Sequence, residues 1–449
     1  MFAGQDGASR SLYNGVYGGN AFQPRIGFAW TPAGLGGHTV VRGAFTISSY
    51  LEGTGTNLRL PINPPFNPAE LDVPYSGVAL PATTASDGIV GSTSTDLSCP
   101  NYSCFAGALL RVWDPNVQPA ISDQWNLTVQ RQFWGNTTFQ VGYVGQRGTH
   151  LMVPFSYNQR KLVSPGVTED SPFFANNTEL LDTIAPYVSG TQSNGKMWYN
   201  ALQAVVSKQM SNGLQYQVAY TYSKCMTDNS GYYGSWGAQA TTASPYWQNI
   251  YDPKAEWAPC FYDATHVLTA YSVYELPIGR GKKFGSDMHP VANAIVGGWS
   301  VSPILSVHTG FPMSPYGSGD QSGTNSRSSR PNCNSTVHVQ GRVPAAGDLK
   351  GYQWFVNDDN FSTPTAGTFG TCPAQLGWLR GPGYADLDLS LQKNFQLTER
   401  YKLQFRTDFI NAFNHVNLNA PDMGFGPTMG QITSAQAPRN IQFALKFYY

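Results

Sequence analysis

The stretch LQYQVAYTY, residues 214–222, has a large apolar or aromatic side chain at every second position, with glutamine, alanine and threonine between them. The apolar set is Leu214, Tyr216, Val218, Tyr220 and Tyr222. Because successive side chains of a strand point to opposite faces, this alternation predicts a strand with two unlike faces. Asn212-Gly213 stands directly before it and is a strong signal for a tight hairpin turn.

Strand-like alternation recurs along the chain, whereas helical periodicity is scarce. Several of these stretches have 11 residues or more, beyond the usual ~5–6 of globular strands and enough for the ~9–11 of a tilted transmembrane strand. The pattern therefore predicts an all-β fold. Its eleven strands are 23–30, 38–48, 121–133, 137–147, 199–210, 214–224, 266–277, 298–309, 384–397, 401–414 and 439–449.

The connections between these strands alternate between short and long. The short ones are TPAGLGG (31–37), WGN (134–136), SNG (211–213) and TER (398–400); the long ones are 51–120, 149–198, 223–265 and 310–383; 278–297 and 415–438 are intermediate. Outer-membrane barrels have short periplasmic turns and long extracellular loops. The alternation therefore predicts an antiparallel transmembrane β-barrel whose last strand ends at the periplasmic side. A soluble β-sandwich or propeller is the alternative, although no propeller-like repeat of ~40–50 residues is seen.

The composition agrees with a wet lumen and aromatic girdles. Charged residues make up 12% of the chain, about half the usual ~25%, while there are 25 Tyr, 24 Phe and 11 Trp. Lysine plus arginine equals aspartate plus glutamate, so we expect no nucleic-acid partner. The first residues lack the apolar segment of a signal peptide, so we expect either a cytoplasmic protein or a longer polypeptide whose start is missing.

The six cysteines fall in pairs within three of the long connections, and none falls in a predicted strand or short turn. Pairing within each connection is the economical arrangement, and it requires an oxidising compartment. We therefore predict the disulfides Cys99–Cys104, Cys225–Cys260 and Cys333–Cys372. Free thiols in a cytoplasmic protein are the alternative. A zinc site has less support, because Cys-x4-Cys lacks a second pair at ligand spacing.

No stretch of the sequence predicts an active site, a cofactor site or a metal site, so we do not expect an enzyme. IGRGKKFG (278–285) lacks the spacing of a phosphate-binding loop and is read as a basic turn. Asp263 and His266 lack a nucleophile in a recognisable elbow. Two further acidic sets offer carboxylates to a cation but lack calcium-loop spacing: Asp386 with Asp388, and Asp320 with Asp358 and Asp359.

An ordered set of stretches resembles a known family. The set is FQPRIGFAW, HTVVRGAF, DQWNLTVQRQF, VGYVGQRGTHL, YNALQAVVSKQMSNGLQYQVAYTYSK, DATHVLTAYSVYELPIGRGKKFG, GGWSVSPILSVHTGFP, LRGPGYADLDLSLQKNFQL, LQFRTDFINAFNHVNLN and RNIQFALKFYY. From about residue 20 to the end, the chain resembles the C-terminal barrel of Oar-like TonB-dependent transporters. The resemblance implies a cell outer membrane location and a barrel of about 22 strands.

The family also implies parts that this sequence does not show: a signal peptide, an N-terminal carboxypeptidase-regulatory-like domain and a plug. We therefore expect residues 1–449 to be the C-terminal part of the barrel domain, a partial barrel of about 11–12 strands from a 22-strand type. The expected function is capture of an unknown extracellular ligand by the long loops and passage through the lumen. This fragment is not expected to be competent alone, because TonB would act through the missing plug. A surface-exposed binding or adhesion protein, and a soluble secreted β-rich enzyme, are the alternatives.

The last strand, RNIQFALKFYY (439–449), ends on an aromatic residue. Its alternation predicts that one face meets outer-membrane lipid and the other the lumen. Such an end resembles the signal that the barrel assembly machinery reads. The residues of this predicted signal are Phe443, Leu445, Phe447 and Tyr449.

Overall fold

The computed structural model describes residues 22–50, 110–112, 114, 116–134, 136–172, 187–229, 231, 246–317, 319–345, 347, 350–357 and 359–449. Eleven strands follow one another in one sheet, each paired antiparallel with the next one along the chain, and two short strands, Leu110–Arg111 and Ala258–Pro259, join the same sheet outside this order. They are β1 (Arg25–Trp30), β2 (Thr39–Tyr50), β3 (Ala120–Phe133), β4 (Thr137–Ser156), β5 (Val188–Ser211), β6 (Leu214–Thr227), β7 (His266–Glu275), β8 (Trp299–His308), β9 (Tyr384–Gln396), β10 (Lys402–Ile410) and β11 (Asn440–Tyr448). All eleven predicted strands are confirmed. Within the described residues the sheet is open, with β1 and β11 as its edges.

The strand register gives the sheet one continuous apolar face. The cross-strand neighbours on this face are large and apolar: Phe45 with Trp125, Leu127 with Tyr143, Leu305 with Leu387 and Phe405 with Leu445. Many of these side chains are uncovered, as Leu127 is 51% exposed. The opposite face carries polar contacts, such as Arg42 with Gln130 at 2.7 Å. A sheet with these two faces suits lipid on one side and water on the other.

The hairpin between β5 and β6 turns as the sequence predicts. Asn212 and Gly213 both have positive φ, 52° and 76°, which is the requirement of a type I′ turn. A side chain at position 213 would be strained by this φ, and its Cβ would lie 3.1 Å from the carbonyl oxygen of Glu275. The turn therefore fixes the register of the hairpin and its distance from β7.

β4 and β5 are much longer than the sequence predicts, and the predicted loop 149–198 is therefore wrong at both ends. β4 continues to Ser156, and β5 starts at Val188. The pairing in this extension shifts register near Leu151, and His150 has a φ of 56°. Such irregularities break the period-two alternation on which the prediction relied. In contrast, β10 is shorter than predicted, because Asn411 has a left-handed φ of 51° just after its last residue.

The described helical structure is short. Helix α1 (Pro290–Val296) lies between β7 and β8, and two short 3-10 turns occupy Ala33–Leu35 and Pro253–Glu256. In the part of the chain that the structure describes, no helix is long and apolar enough to cross a membrane.

The hydrophobic core lies in the long connections, not between the strands of the main sheet. The connections 309–383 and 411–439 contribute short strands that pair with one another, including Tyr352–Gln353 with Gln431–Ile432. The buried side chains of this core are Met313, Val337, Phe355, Phe361, Cys372, Leu376, Leu379, Met423 and Met429. The β8–β9 and β10–β11 connections therefore fold into one packed body at one end of the sheet.

Candidate functional site

The candidate site is the long-connection assembly, defined as the described residues of 157–187, 228–265, 309–383 and 411–439. A buried ion pair joins two of these connections. Arg330 Nη2 contacts Glu256 Oε2, and the two side chains are 6% and 3% exposed. Arg330 also donates through Nη1 to the carbonyl oxygen of Cys372 at 3.4 Å. Since an unpaired charge at such a depth is costly, each partner requires the other.

Gln248 links the same two connections through its amide. Its Nε2 donates to the carbonyl oxygen of Gly370 at 2.8 Å, and its Oε1 accepts from the backbone N–H of Arg330 at 3.1 Å. The backbone N–H of Gln248 donates to Glu256 Oε1 at 2.8 Å. Donor and acceptor ends of the amide are thus both used, which fixes its orientation.

Gln159 brings a third connection into this network and is fully buried. Its Nε2 donates to the carbonyl oxygen of Gln248 at 2.7 Å, and its Oε1 accepts from the backbone N–H of Ile250 at 3.0 Å. We call Gln159, Gln248, Glu256 and Arg330 the polar cluster. It holds three separate connections in one arrangement, so the surface above it is ordered before any ligand arrives.

Asp263 and His266 do not form a catalytic pair. Asp263 is buried and accepts from the backbone N–H of Cys225 at 2.8 Å and from Arg380 Nη2 at 2.7 Å. The His266 ring instead bonds the Tyr220 hydroxyl through Nδ1 at 2.7 Å. Asp263 therefore ties the end of the β6–β7 connection to β6 and to Arg380 of the β8–β9 connection, while His266 of β7 contacts its neighbouring strand β6.

Two of the predicted disulfides are present in the structure. Cys225 pairs with Cys260, and Cys333 pairs with Cys372, with Cα–Cα distances of 5.3 Å and 4.8 Å. Cys333–Cys372 closes the β8–β9 connection on itself. Cys225 lies near the end of β6, which is longer than predicted, so Cys225–Cys260 ties the β6–β7 connection to that strand, and the expectation that no cysteine falls in a strand is wrong here. The predicted pair Cys99–Cys104 lies outside the described residues.

A cavity of about 850 Å³ lies where the β2, β3, β4 and β5 strands meet the β6–β7 connection. Ile47, Asp123 and Arg147 line it and stand side by side in three adjacent strands. Asp123 is two residues from Trp125, so these side chains share the face of Trp125. One wall of the cavity is therefore part of the same sheet face, beyond Trp125 toward the long connections. Trp247 of the β6–β7 connection also lines the cavity.

The charged groups that line this cavity carry both signs. Arg147 lies 5.7 Å from the ring centroid of Trp198, and Lys196 and Asp228 lie on the side of the β6–β7 connection. His150 also lines the cavity, and its Nδ1 is buried without a hydrogen-bond partner among the described residues. The cavity lining thus combines charges of both signs with apolar side chains such as Ile47 and Trp247.

Asp228 is the titratable group of the cavity with the clearest shift. Burial raises the pKa of its carboxyl to about 6, against the opposing hydrogen bond from the backbone N–H of Lys196. That hydrogen bond is 2.5 Å long, and the carbonyl oxygen of Asp228 accepts from Trp247 Nε1 at 2.6 Å. Asp228 thus fixes one wall of the cavity while it titrates in the mildly acidic range.

The sequence matches the family model described as outer membrane beta barrel domain over residues 1–442. The chain belongs to this family. Its location is the cell outer membrane, and its strands form an outer membrane β-barrel domain. No curated protein sequence matches the chain.

Solved structures with a similar fold include three outer-membrane proteins. The transporter YddB from Escherichia coli is 7% identical with a TM-score of 0.48, over 95% of this chain and 40% of that one. The pyoverdine receptor FpvA from Pseudomonas aeruginosa is 10% identical with a TM-score of 0.43, over 95% and 36%. The ferric preacinetobactin receptor BauA from Acinetobacter baumannii is 8% identical with a TM-score of 0.41, over 95% and 36%. The chain thus spans two fifths or less of the length of these proteins.

The remaining sequence candidates lie apart from one another in this outer membrane barrel. Residues 278–285 form a turn at the opposite rim, where Gly279 N–H bonds the carbonyl oxygen of Phe284 at 2.9 Å. Asp386 and Asp388 lie on the polar face of β9, and Asp388 accepts from the backbone N–H of Asn411 at 2.9 Å. Asp358 lies outside the described residues. Within the described part, no group of three or more His, Cys, Asp or Glu is placed to hold a metal ion.

Asp320 has a local structural role in the long-connection assembly. Its carboxylate accepts from Ser322 Oγ at 2.5 Å and from the backbone N–H of Ser326 at 3.1 Å. Ser326 Oγ in turn donates to the carbonyl oxygen of Gln248 at 2.8 Å. Asp320 therefore supports the polar cluster by shaping the turn beside it.

The sequence did not predict the polar cluster. Gln159, Gln248 and Arg330 come from three connections, and no local pattern distinguishes them from other polar loop residues. The one available signal was the pairing of cysteines, which indicates that the connections 223–265 and 310–383 are individually folded.

Proposed function

We propose that the chain is the barrel part of a TonB-dependent receptor of the Oar-like type, in which the long-connection assembly captures an extracellular ligand and the lumen passes it inward. One observation carries the proposal: all of the long connections leave the sheet at the same rim. At this rim the core packs the β8–β9 connection against the β10–β11 connection. The polar cluster joins the β4–β5, β6–β7 and β8–β9 connections.

An assembly that is ordered in advance favours binding over a purely structural role. Ordering flexible loops on binding costs about 0.5–1.5 kcal/mol for each immobilised side chain. The ion pair of Arg330 with Glu256 and the clamp of Arg380 on Asp263 remove much of that cost, since they hold the loops in the free protein. The Gln, Asn, Ser and Thr side chains of the other sheet face provide a polar path below the assembly.

Release of the ligand into the periplasm requires energy in this type of protein. The resemblance implies that TonB supplies it by acting on a plug domain. The residues of the present chain would then bind and conduct, and the plug would gate. The partner at the extracellular side is the ligand, whose class the test below addresses.

The first test is the orientation of the two rims. An epitope inserted at Gly341 of the β8–β9 connection should be reached by antibody on intact cells, whereas one inserted at Glu399 of the β9–β10 turn should be reached only after permeabilisation. The reverse pattern would contradict the proposal.

The second test measures binding and uptake. Ferric chelates, oligosaccharides and short peptides serve as three separate probes, with thermal shift of the purified chain as the readout. For a probe that binds, uptake by cells carrying the complete protein should disappear without TonB. Binding that persists while TonB has no effect on uptake would favour the surface-adhesion alternative.

A further inference from the structure

The β7–β8 connection (276–298) exposes unusually many apolar side chains for a segment at the short-connection rim. Val291 and Ile295 of α1 are 64% and 66% exposed, and Phe284 of the preceding turn is 56% exposed. Val291 and Ile295 are four residues apart, so they lie on the same side of the helix. An apolar side of this kind requires a partner other than water.

The helix is tied to the lipid-facing side of the sheet. Trp299 Nε1 donates to the carbonyl oxygen of Ile295 at 3.0 Å, and Lys393 Nζ donates to that of Gly297. Trp299 and Lys393 are paired residues of β8 and β9, two positions from the pair of Val301 with Leu391. All four therefore share the apolar face, so α1 ends at the margin of the lipid-facing surface.

The same contacts place α1 at the level of the membrane boundary. Lys393 Nζ lies 5.2 Å from the ring centroid of Trp299 and 4.9 Å from that of Phe395. Tryptophan and long basic side chains take this arrangement where hydrocarbon meets headgroups. The inner side of α1 is occupied, because Asn293 Oδ1 accepts from the backbone N–H of Arg280 at 2.8 Å. The side of Val291 and Ile295 is left open.

We propose that α1 and Phe284 insert into the headgroup region of the membrane leaflet at this rim, with phospholipid as the partner. The inserted helix helps to set the depth at which the barrel lies in the membrane. The inference rests on the lipid-facing assignment of the apolar face, which family membership supports, and on the periplasmic orientation of this rim given above.

Apolar contact, not net charge, carries the proposed binding. Arg280, Lys282 and Lys283 are exposed on the turn, but Lys282 Nζ lies 3.5 Å from Glu275 Oε2, and Asp287 is exposed nearby. The charges are close to balance, so a zwitterionic lipid suffices. Burial of apolar surface stabilises by roughly 25 cal/mol per Å², which suits a weak anchor on an already inserted barrel.

Photocrosslinking in a bilayer tests the proposal. The full chain is placed in nanodiscs of phosphatidylethanolamine and phosphatidylglycerol, with p-benzoylphenylalanine at position 295. Mass spectrometry should find several-fold more phospholipid adduct than with the same probe at position 287, which is exposed on the same connection. With the probe at position 291, Ile295→Asp should reduce the adduct, and Asp287→Asn should leave it unchanged.

A probe at position 443 of β11 is the reference for lipid contact. Adducts at 443 with equal, low adducts at 295 and 287 would overturn the proposal and leave the proposed function intact. Adducts to protein instead of lipid at 295 would also overturn it and would identify a docking surface. A lack of lipid adducts at 443 would count against the lipid-facing sheet and therefore against both proposals.

Discussion

Arg330 and Glu256 form an ion pair inside the long-connection assembly, with both side chains almost completely buried. They come from different connections, and Gln248 bonds to both, through its side chain to the backbone of Arg330 and through its backbone to Glu256. The pair therefore fixes the relative position of the β6–β7 and β8–β9 connections.

Breaking this pair should loosen the assembly. Glu256→Gln leaves the Arg330 guanidinium buried without its carboxylate, which typically costs about 3–5 kcal/mol. We expect protease cleavage within 309–383 at much lower protease concentration, measured by limited proteolysis of the membrane-inserted protein. Glu169→Gln is the matched control, because the Lys161–Glu169 pair has side chains 50% and 53% exposed and should be worth about 1 kcal/mol at most. Equal sensitivity of both variants would contradict the role of the buried pair.

The two disulfides should each stabilise their own connection. They close loops with sequence separations of 35 and 39 residues, for which the chain-entropy model gives about 4 kcal/mol each. Cys333→Ser with Cys372→Ser should lower the melting temperature of the assembly, measured by calorimetry. Mass spectrometry of the unreduced protein is the direct check, and alkylation of all six cysteines would show that the bonds do not form.

The stability of the assembly should fall between about pH 4 and pH 6 as pH rises. The folded pKa of Asp228 is raised from 3.8 to about 6 by burial, so the folded protein retains a proton that the unfolded chain releases in this window. The stabilisation is complete below the unfolded pKa and is lost as pH passes the folded pKa. Asp228→Asn keeps the acceptor for Lys196 N–H and should stabilise at pH 7 by up to about 3 kcal/mol.

Proteolysis or calorimetry between pH 4 and pH 7 would measure this effect. Asp287→Asn, at an exposed position, is the control and should keep the pH dependence of the parent protein. Retention of the full pH dependence in Asp228→Asn would assign it to another group.

The two faces of β3 should respond oppositely to a charge. Leu127→Arg places a guanidinium on the apolar face near the middle of the strand, at a cost of about 2–4 kcal/mol if that position lies at the bilayer midplane. Asn126→Arg, one residue away on the polar face, should be tolerated. The difference in gel mobility between heated and unheated samples measures the folded fraction of each variant. Similar losses of folded protein in both variants would contradict the assignment of the faces.

The aromatic end of β11 should matter for assembly more than for final stability. Phe447 stacks on Tyr401 with ring centroids 5.7 Å apart, and Tyr449 is 91% exposed. We propose that Phe443, Leu445, Phe447 and Tyr449 form the signal read by the barrel assembly machinery. Deletion of residues 447–449 from the complete protein should reduce the inserted fraction, measured by membrane fractionation. Lys446→Ala, on the polar face, is the control, and normal insertion of the deletion variant would count against the signal.

The strands could be predicted because one face of the sheet is apolar and the other is polar, which gives each strand a period-two alternation. LQYQVAYTY alternates because Tyr220 and its neighbours lie on the apolar face of the sheet while Gln217 and Thr221 lie on the polar face. The pattern fails where that condition ends: beyond Gly148 the strand pair β4–β5 continues past the alternating segment, and a bulge near Leu151 removes the period. Strand identity was therefore predictable, and strand length was not.

The site was predictable only where covalent chemistry marks it. Cysteine pairs can be recognised in the sequence from their number and position, and two of the three predicted disulfides lie within the described residues. Gln159 and Gln248 carry no such mark in the sequence, because the partners of their side-chain amides lie 82 residues away or more in the chain. Asp263 was a poor candidate for catalysis on sequence grounds, and its bond with Arg380 gives the positive reason for its presence.

The location of the hydrophobic core has a consequence for how this molecule comes apart. Its packed interior, around Phe355 and Leu376, is stabilised by apolar burial as in a water-soluble protein. We expect its sheet to be stabilised by the bilayer instead. A chaotrope should destabilise the packed interior, whereas detergent exchange should destabilise the sheet. Denaturation should therefore proceed in two separable steps, in which the long-connection assembly unfolds before the main sheet.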